Sequence, residues 1–360
     1  MEPDVPAIAG APEDDAGGIL VVIVNFDGGP GLVECIDSVL TQSVPVSIVV
    51  VDNGSTDGSD LQVTHRYREV TVCHPPRNLG FGEAVNFAVS THAGETIVVL
   101  NPDVVLRDGC LPAMLAALKA RPGVVGPVLH VSASGTTEAG LTVNHTGMPT
   151  VQAGDRAPLF VPGCVLATTR FVFEQVGGFD GRYFLFVEDV EFCWRVLLAG
   201  FEVAVAGDAQ ADHEGGGSVA GGYLRPGARY RTSELRVALR ERNTMALMIS
   251  CAPRWWLPVV LPVLVGRCAA EAAGAVVLGR PSLAWSIVRG VGWNVRELPT
   301  SIRRRRSLTR SSRSCRTARS RLTSGPLLVQ TIRTHGLPRI VGARGSSYEG
   351  ARQATGRDLG

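Results

Sequence analysis

Three apolar runs in the first third of the chain each close on an amide or a carboxylate. Residues 19–25 read ILVVIVN, residues 47–52 read SIVVVD, and residues 96–103 read TIVVLNPD. Continuous β-branched runs of this length fit strands buried on both faces, as in a parallel sheet. A shorter run, residues 70–72, predicts a further strand. Between the runs the period changes. Leu32, Cys35, Ile36, Val39 and Leu40 recur at helical spacing, and residues 81–89 place Ala84, Val85 and Ala88 on one side. Strands alternating with helices predict right-handed crossovers and a doubly wound, mostly parallel α/β sheet. Such sheets bind ligands outside the carboxyl ends of their strands. Asn25, Asp52 and Asp103 all fall on that edge, and an aspartate there can hold a divalent cation against a diphosphate.

Further along, residues 130–160 are rich in Gly, Thr and Ser and weakly periodic, which predicts a mobile excursion. Residues 161–168 read as a strand, 171–176 as a short helix ended by Gly177 and Gly178, 187–198 as a helix ended by Gly200, and 201–205 as a last strand. Gly215, Gly216 and Gly217 follow His213 and predict a flexible loop. Beyond residue 230 the character changes. Residues 235–249 predict a helix, and 255–265 are strongly apolar but contain Pro258 and Pro262. Arg267 and Glu271 interrupt before the apolar segment 272–278, so no unbroken stretch reaches the roughly 18–20 residues of a spanning helix. Paired tryptophans, prolines and flanking arginines fit a segment lying in a membrane interface. A helical subdomain packed on the core explains the same pattern, and the sequence leaves both open. The expected organisation is a disordered lead-in (1–18), an α/β catalytic domain (19–225), a helical or membrane-interface segment (226–300) and a basic, disordered tail (301–360).

The 360 residues, 45% hydrophobic, suffice for one sizeable core. A formal net charge of +2 argues against a nucleic-acid partner for the chain as a whole. The charge is uneven, however: nine arginines fall between positions 303 and 321. A basic cluster after an apolar anchor binds anionic lipid head groups; a solvated tail is the competing reading. Eight cysteines without a CxxC pair predict buried free thiols in a reducing compartment. The acidic start of the chain lacks a signal peptide's basic and apolar regions. The expected location is the cytoplasm, peripheral on the inner face of the plasma membrane.

Several α/β chemistries fail on their motifs. Gly29, Gly31 and Glu34 miss the third glycine of a dinucleotide fingerprint, the single lysine, Lys119, cannot serve a phosphate loop, and no Gly-x-Ser-x-Gly elbow occurs. What the chain carries is an ordered set: VVIVNF at 21–26, CIDSVL at 35–40 with Gln42, VVDNGSTD at 50–57, NLGFG at 78–82 with Asn86, LNPD at 100–103, Gly163 and Cys164, GGFD at 177–180, FVEDVEFCWR at 186–195, and Asp212 with His213. This order resembles the family 2 glycosyltransferases with a GT-A fold, in particular their rhamnosyltransferase-like branch, over residues 19–218. The resemblance implies an inverting, metal-dependent transfer of a sugar from a nucleoside diphosphate. The branch favours dTDP-rhamnose as donor, although relatives handle other sugars, and the expected acceptor is a lipid-linked or polysaccharide hydroxyl of the cell envelope.

Residue roles follow from position and resemblance together. The Asp52 carboxylate follows a strand and can accept hydrogen bonds from a base N–H or a ribose hydroxyl, with Asn25, Phe26 and Asn53 lining the same pocket; a turn-capping role for Asp52 is the alternative. Asn78 and Asn86 bracket a Gly-rich turn that family members use near the nucleotide, and each could equally be a helix cap. Asp103 resembles the last acid of the family's metal motif, with Asn101 in place of the first acid. His213 matches the position of a second ligand, for Mn²⁺ or Mg²⁺, unless it is a structural histidine. Glu188, Asp189 and Glu191 open a helix, and the resemblance makes Asp189 the general base with Glu191 as runner-up; helix-start acids alone are the plainer reading. Arg195, beside Trp194, is expected to reach the diphosphate, hold the carboxylates or serve as an ordinary helix arginine. Gly163 and Asp180 are expected on the acceptor side. Two other classes stay open: a sugar-nucleotide nucleotidyltransferase, and a catalytically silent glycan- or lipid-binding scaffold.

Overall fold

Alternation within each strand decides which face of the sheet a residue feeds. The computed structural model describes residues 18–144, 146–151, 157–215, 231–308, 321–322 and 339–340. In chain order the elements are β1 (Ile19–Asn25), α1 (Gly29–Leu40), β2 (Ser47–Asp52), α2 (Ser59–Arg66), β3 (Val70–Cys73), α3 (Gly80–Thr91), β4 (Thr96–Leu100), β5 (Val104–Leu106), α4 (Cys110–Ala120) and β6 (Gly123–Val131). Then come β7 (Thr136–Glu138), β8 (Leu141–Val143), β9 (Pro149–Val151), β10 (Val165–Thr169), α5 (Arg170–Val176), α6 (Glu188–Leu198) and β11 (Glu202–His213). The last group is β12 (Arg231–Thr232), α7 (Glu234–Cys251), α8 (Leu257–Val277), α9 (Pro281–Arg296), α10 (Leu298–Leu308) and β13 (Arg339–Ile340). In β1, Val21 and Ile23 enter a core shared with α1, α2 and α4. Leu20, Val22 and Val24 enter a second core on the other face, shared with α3, α5, α6 and the carboxyl-terminal helices. Both faces are covered, as the unbroken apolar runs require.

The sheet order is β3-β2-β1-β4-β10-β6-β11-β5, with β7 added beside β6. Strands β3, β2, β1 and β4 are parallel, as are β6 and β11. Strand β10 runs antiparallel to both of its neighbours, β4 and β6, and β5 is antiparallel to β11. The sheet is thus mixed but parallel over most of its paired length, the doubly wound arrangement expected.

Three local expectations change. Residues 130–160 are not an unstructured excursion where they are described: β6 runs to Val131, β7 pairs with it, and β8 and β9 form a separate pair. Three-residue pairings leave too short a repeat for the alternation to show. The last strand runs Glu202–His213 rather than 201–205, because a register irregularity between Ala206 and Gln210 breaks the alternation but not the pairing with β6. Pro262 does not end α8. It removes one backbone bond near the helix start, and residues 254–277 run helically for 24 residues, with a mean hydropathy of 1.6 over an 18-residue window. By length and composition alone this helix is long and apolar enough to cross a bilayer, which the unbroken-run count had not suggested. The charges that interrupt the run turn inward: Arg267 Nη2 lies 2.5 Å from Glu241 Oε2 on α7, and Glu271 faces Arg240 at 3.6 Å.

The basic segment is also partly internal. Helix α10 continues to Leu308, past the boundary expected at 300. Arg305 is buried and donates to the Ile249 and Ala252 carbonyls at the end of α7. Arg321 donates to the Pro158 and Val203 carbonyls at 2.7 and 3.0 Å. Residues 1–17, Gly216, Gly217 and most of the tail lie outside the described residues. The described cysteines are all free thiols, buried except for Cys73, which is half-buried.

Gly123 pairs with Glu202 where β6 meets β11, and a Cβ there would overlap the Glu202 carbonyl. Gly123→Ala is expected to lower stability by about 1–3 kcal/mol, as overpacking does. Gly207→Ala, with open space around its Cβ, is the control. Chemical denaturation of both variants checks this, and equal midpoints would contradict it.

Candidate active site at the carboxyl edge of the sheet

The strand ends assemble a polar row. Asn25 is fully buried, and its Nδ2 lies 2.8 Å from Asp52 Oδ1, 3.0 Å from Ser55 Oγ and 2.9 Å from Ser59 Oγ. Asp52 Oδ2 accepts the Gly54 and Ser55 N–H groups at 3.1 and 3.0 Å, and Oδ1 accepts Ser55 Oγ at 2.6 Å. The turn-capping role of Asp52 is therefore realised. Phe26, half-buried, follows at the strand end. Asn53 braces β2 to α3, donating to the Gly80 carbonyl and accepting the Leu79 N–H. Asn78 caps the same turn by accepting the Gly80 N–H at 2.8 Å. Asn86 spends both polar atoms on the Phe179 backbone, at 2.8 and 2.9 Å, so it ties α3 to the 178–180 segment rather than facing the row.

Asp103 and His213 meet because of strand register. After β4 the chain turns through 101–103 into β5, and β5 pairs with β11 so that His213 stands opposite Val104. His213 Nε2 is 3.3 Å from Asp103 Oδ1. Apart from this ion pair, that oxygen is buried without a hydrogen bond among the described residues, which leaves it open to a cation as well as to the imidazolium. Neighbouring corners of an octahedron with 2.1 Å bonds are about 3.0 Å apart, so the pair fits two adjacent ligands of Mg²⁺ or Mn²⁺. Burial alone would push the His213 imidazole down; the Cys164 thiol and the Asp103 carboxylate beside it outweigh burial and push it up to about 11. A cation would displace that proton. Asn101 lies on the same turn, its N–H donating to the Cys164 carbonyl at 2.8 Å. Asp52, Asp60 and His74 form a second group, with donor atoms within 4.8 Å of one another. It is the poorer cage, because Asp52 already accepts four hydrogen bonds.

Asp189 stands in the first turn of α6, half-buried. Its Oδ2 accepts the Gly163 N–H at 2.9 Å and its Oδ1 the Val190 N–H at 2.8 Å. Burial pushes its carboxyl up, against those hydrogen bonds. Glu188 beside it is pushed up by burial and by the Asp189 charge, and its Oε2 is buried without a partner among the described residues. Glycine at 163 lets Asp189 approach closely, since a Cβ would stand 3.0 Å from the Asp189 Cβ and 3.4 Å from the Phe81 ring. Gly163 and Cys164 thus touch both halves of the site: one takes Asp189, the other the Asp103 turn.

The next residues of α6 depart from expectation. Glu191 is fully buried and gripped by Arg195 through two contacts of 2.7 Å, with Arg304 Nε at 3.1 Å. A carboxylate so held inside the core is no general base. Arg195, also fully buried, donates onward to the Val176 and Gly178 carbonyls, so it holds a carboxylate and does not reach a diphosphate. Trp194 is a core residue at 1% exposure, not an acceptor contact. Asp180 is 5% exposed and bound by Arg182 at 2.7 and 3.0 Å and Arg304 at 3.3 Å. Although burial raises its carboxyl, the two arginines hold it below the usual range. It is committed to them rather than open to a sugar hydroxyl. Sequence reasoning missed Arg182, Arg304, Ser55 and Ser59. Ser55 sits in the turn after Asp52 and was legible as its hydrogen-bond partner, whereas Ser59 opens α2 and meets Asn25 and Asp57; nothing in the sequence pairs Arg304 with a helix 113 residues earlier.

Comparison with known proteins agrees with this geometry. The family model described as Glycosyl transferase family 2 matches residues 20–177. An N-acetylglucosaminyl-diphospho-decaprenol L-rhamnosyltransferase of Mycobacterium tuberculosis is 28% identical over 272 residues, 66% of this chain and 85% of that enzyme. The glycosyltransferase GlyG of Streptococcus pneumoniae serotype 4 is 29% identical over 101 residues, 27% of this chain and 33% of its own. Among solved structures, S. aureus TarS has a TM-score of 0.51 at 16% identity, covering 89% of this chain and 55% of that one. GalNAc-T7, solved with UDP, GalNAc and Mn²⁺, has a TM-score of 0.52 at 15% identity, covering 66% of this chain and 48% of that one. This chain spans about half the length of each of those two structures, which show the fold alone. With its strand-end polar row and matched motifs, the chain matches family 2 of the glycosyltransferases over residues 20–177 and is similar to a rhamnosyltransferase over two thirds of its length.

Proposed function

We propose that this enzyme transfers a sugar, with inversion, from a nucleoside diphosphate to a hydroxyl of a lipid-linked envelope glycan, and that dTDP-rhamnose is the donor. One observation carries the reading: the Gly163–Cys164 segment joins a carboxylate suited to proton removal, Asp189, to the turn that bears Asp103. The relative from Mycobacterium tuberculosis, named for a lipid-diphosphate acceptor and a rhamnosyl group, supports the choice of substrates. The nucleotidyltransferase and silent-scaffold readings lose ground to the family match and to this intact carboxylate.

Asp189 takes the proton from the acceptor hydroxyl as its oxygen attacks the anomeric carbon. Its raised pKa makes it a better base than a surface carboxylate, and the two N–H groups keep it aimed. Asp52 and Asn25, with Asn53 and Asn78 fixing the turns around them, form the end of the site that holds the nucleoside. Asp103 and His213 would hold Mn²⁺ or Mg²⁺. Bound there, the cation stabilises the negative charge that develops on the departing diphosphate.

The carboxyl-terminal helices supply the membrane contact. Helix α8 turns its ion pairs toward α7 and exposes Val259, Val263, Val276 and Val277; α9 exposes Trp285, Val288 and Val295. Charge inside and apolar side chains outside is the reverse of a soluble helix. With Trp255 exposed beside them and arginines at 254, 280, 289 and 296, the surface suits an anionic bilayer interface. It would hold the enzyme at the cytoplasmic face, where a lipid-linked acceptor is presented.

Asp189→Asn is expected to lower transfer by about 10²–10⁴-fold, the range for a general base, and to keep donor binding; release of free nucleoside diphosphate reads the first and calorimetry the second. Wild-type turnover in that variant would refute the base. EDTA is expected to abolish transfer and Mn²⁺ or Mg²⁺ to restore it, whereas undiminished transfer in EDTA would remove Asp103 and His213 from any metal role. Wild type is expected to cosediment with phosphatidylglycerol vesicles and Trp285→Glu/Val288→Glu to do so at least about tenfold less, each change costing apolar burial; equal sedimentation would disprove docking through α9.

A further inference from the structure

The residues just before Glu188 and Asp189 hold an unusual backbone. Phe184, Phe186 and Val187 have φ of 59°, 68° and 73°. Left-handed conformations cost about 1–3 kcal/mol each outside glycine, and persist only where surrounding groups over-determine them. Val187, β-branched, is the N-cap of α6; its conformation sets the direction in which Glu188 and Asp189 leave the turn.

The over-determining groups are visible. Every carbonyl from Arg182 to Phe186 takes a donor from outside the turn. Arg242 Nη2 donates to Arg182 O and Tyr183 O at 3.1 and 3.0 Å. Asn243 Nδ2 lies 2.9 Å from Tyr183 O, 2.9 Å from Leu185 O and 2.7 Å from Phe186 O. The Phe81 N–H donates to Phe184 O at 2.8 Å. That approach needs Gly80, whose φ is +74° and whose Cβ would overlap the Phe184 carbonyl. Asn243 is fully buried and Arg242 nearly so. Both are braced in turn: Arg242 Nε donates to Asn243 Oδ1 at 2.9 Å, the guanidinium stacks on Trp293 of α9 at 4.6 Å, and Asn294 Nδ2 donates to Arg242 O at 2.9 Å. Helix α7 lies beyond the residues that the family model matches.

We propose that Asn243 and Arg242 of α7 are positioning residues for sugar transfer, holding the left-handed turn 184–187 so that Asp189 faces the acceptor. The inference rests on Asp189 being the base. Without the clamp the turn relaxes toward ordinary backbone conformations, and the carboxylate leaves the Gly163 N–H. The nucleoside end of the site, built on β1, β2 and α3, stays as it was.

The test uses the full chain, with donor turnover read as free nucleoside diphosphate, UDP and dTDP affinity by calorimetry, melting temperature, and hydrogen exchange of amides 182–190. Asn243→Ala is expected to lower kcat by about 100-fold, the cost of misplacing a reacting group by about an ångström. Donor KM and nucleotide affinity should stay within about twofold, while exchange in 182–190 rises about tenfold or more. Arg242→Lys, which keeps the charge but loses the fork, is expected to fall between the two and serves if Asn243→Ala does not fold. Faster exchange with kcat within about threefold of wild type would overturn the proposal, as would unchanged exchange. So would kcat, nucleotide affinity and melting temperature all falling together, the mark of a purely structural role. Wild-type turnover in Asp189→Asn would instead refute the base assignment, which the exchange measurement does not depend on.

Discussion

An antiparallel strand begins where its parallel neighbour ends, and the site depends on that one constraint. Strand β10 enters the sheet beside β4 in the opposite sense, with Val165 opposite Leu100. Its leading residues, Gly163 and Cys164, are therefore delivered to the edge where β1, β2 and β4 leave their polar ends. A parallel β10 would have carried them to the far edge of the sheet. From that position Cys164 accepts the Asn101 N–H and Gly163 donates to Asp189. The first half of the domain and the helix that carries the carboxylate are joined through two backbone hydrogen bonds on adjacent residues.

The sequence showed what is local to a strand end or helix start. Asn25, Asp52 and Asp103 each sit where an apolar run stops, so their positions on one edge were legible before any contact was known, whereas Asp189 was named through the family resemblance. Which face of a helix looks inward was less legible. Glu188, Asp189 and Glu191 read alike as helix-start acids, yet a rotation of some 200° separates Asp189 from Glu191 about the axis; one meets Gly163 and the other Arg195. Long-range partners were not legible at all. The arginines near the end of the chain read as a lipid-binding or solvated cluster, and Arg304, Arg305 and Arg321 are instead used inside the protein. Charge predicts a partner of opposite sign, not which partner.

Helix α8 shows why apolar content alone misleads. Its sequence left open whether the apolar run met a membrane or the core. In the fold Val260 and Leu264 pack inward while most of its other valines face outward, and Arg267 and Glu271 turn to Glu241 and Arg240 on α7. Buried pairs of this kind contribute little net stability against an apolar replacement of equal volume. They do fix the rotation of α8 about its axis, and hence which side chains face outward.

The cluster formed by Glu191, Asp180, Arg195, Arg182 and Arg304 sets two acids among three guanidinium groups. Deleting one member of a buried pair typically costs about 3–5 kcal/mol, because the other charge is left stranded; marginal stability leaves little room for that. Single replacements along a line of descent would therefore be eliminated, while compensated changes survive. Among relatives of this enzyme, Glu191 and Arg195 on α6 should change together or not at all, while Arg304 on α10 ties the carboxyl-terminal helices to that pair across 113 residues of chain.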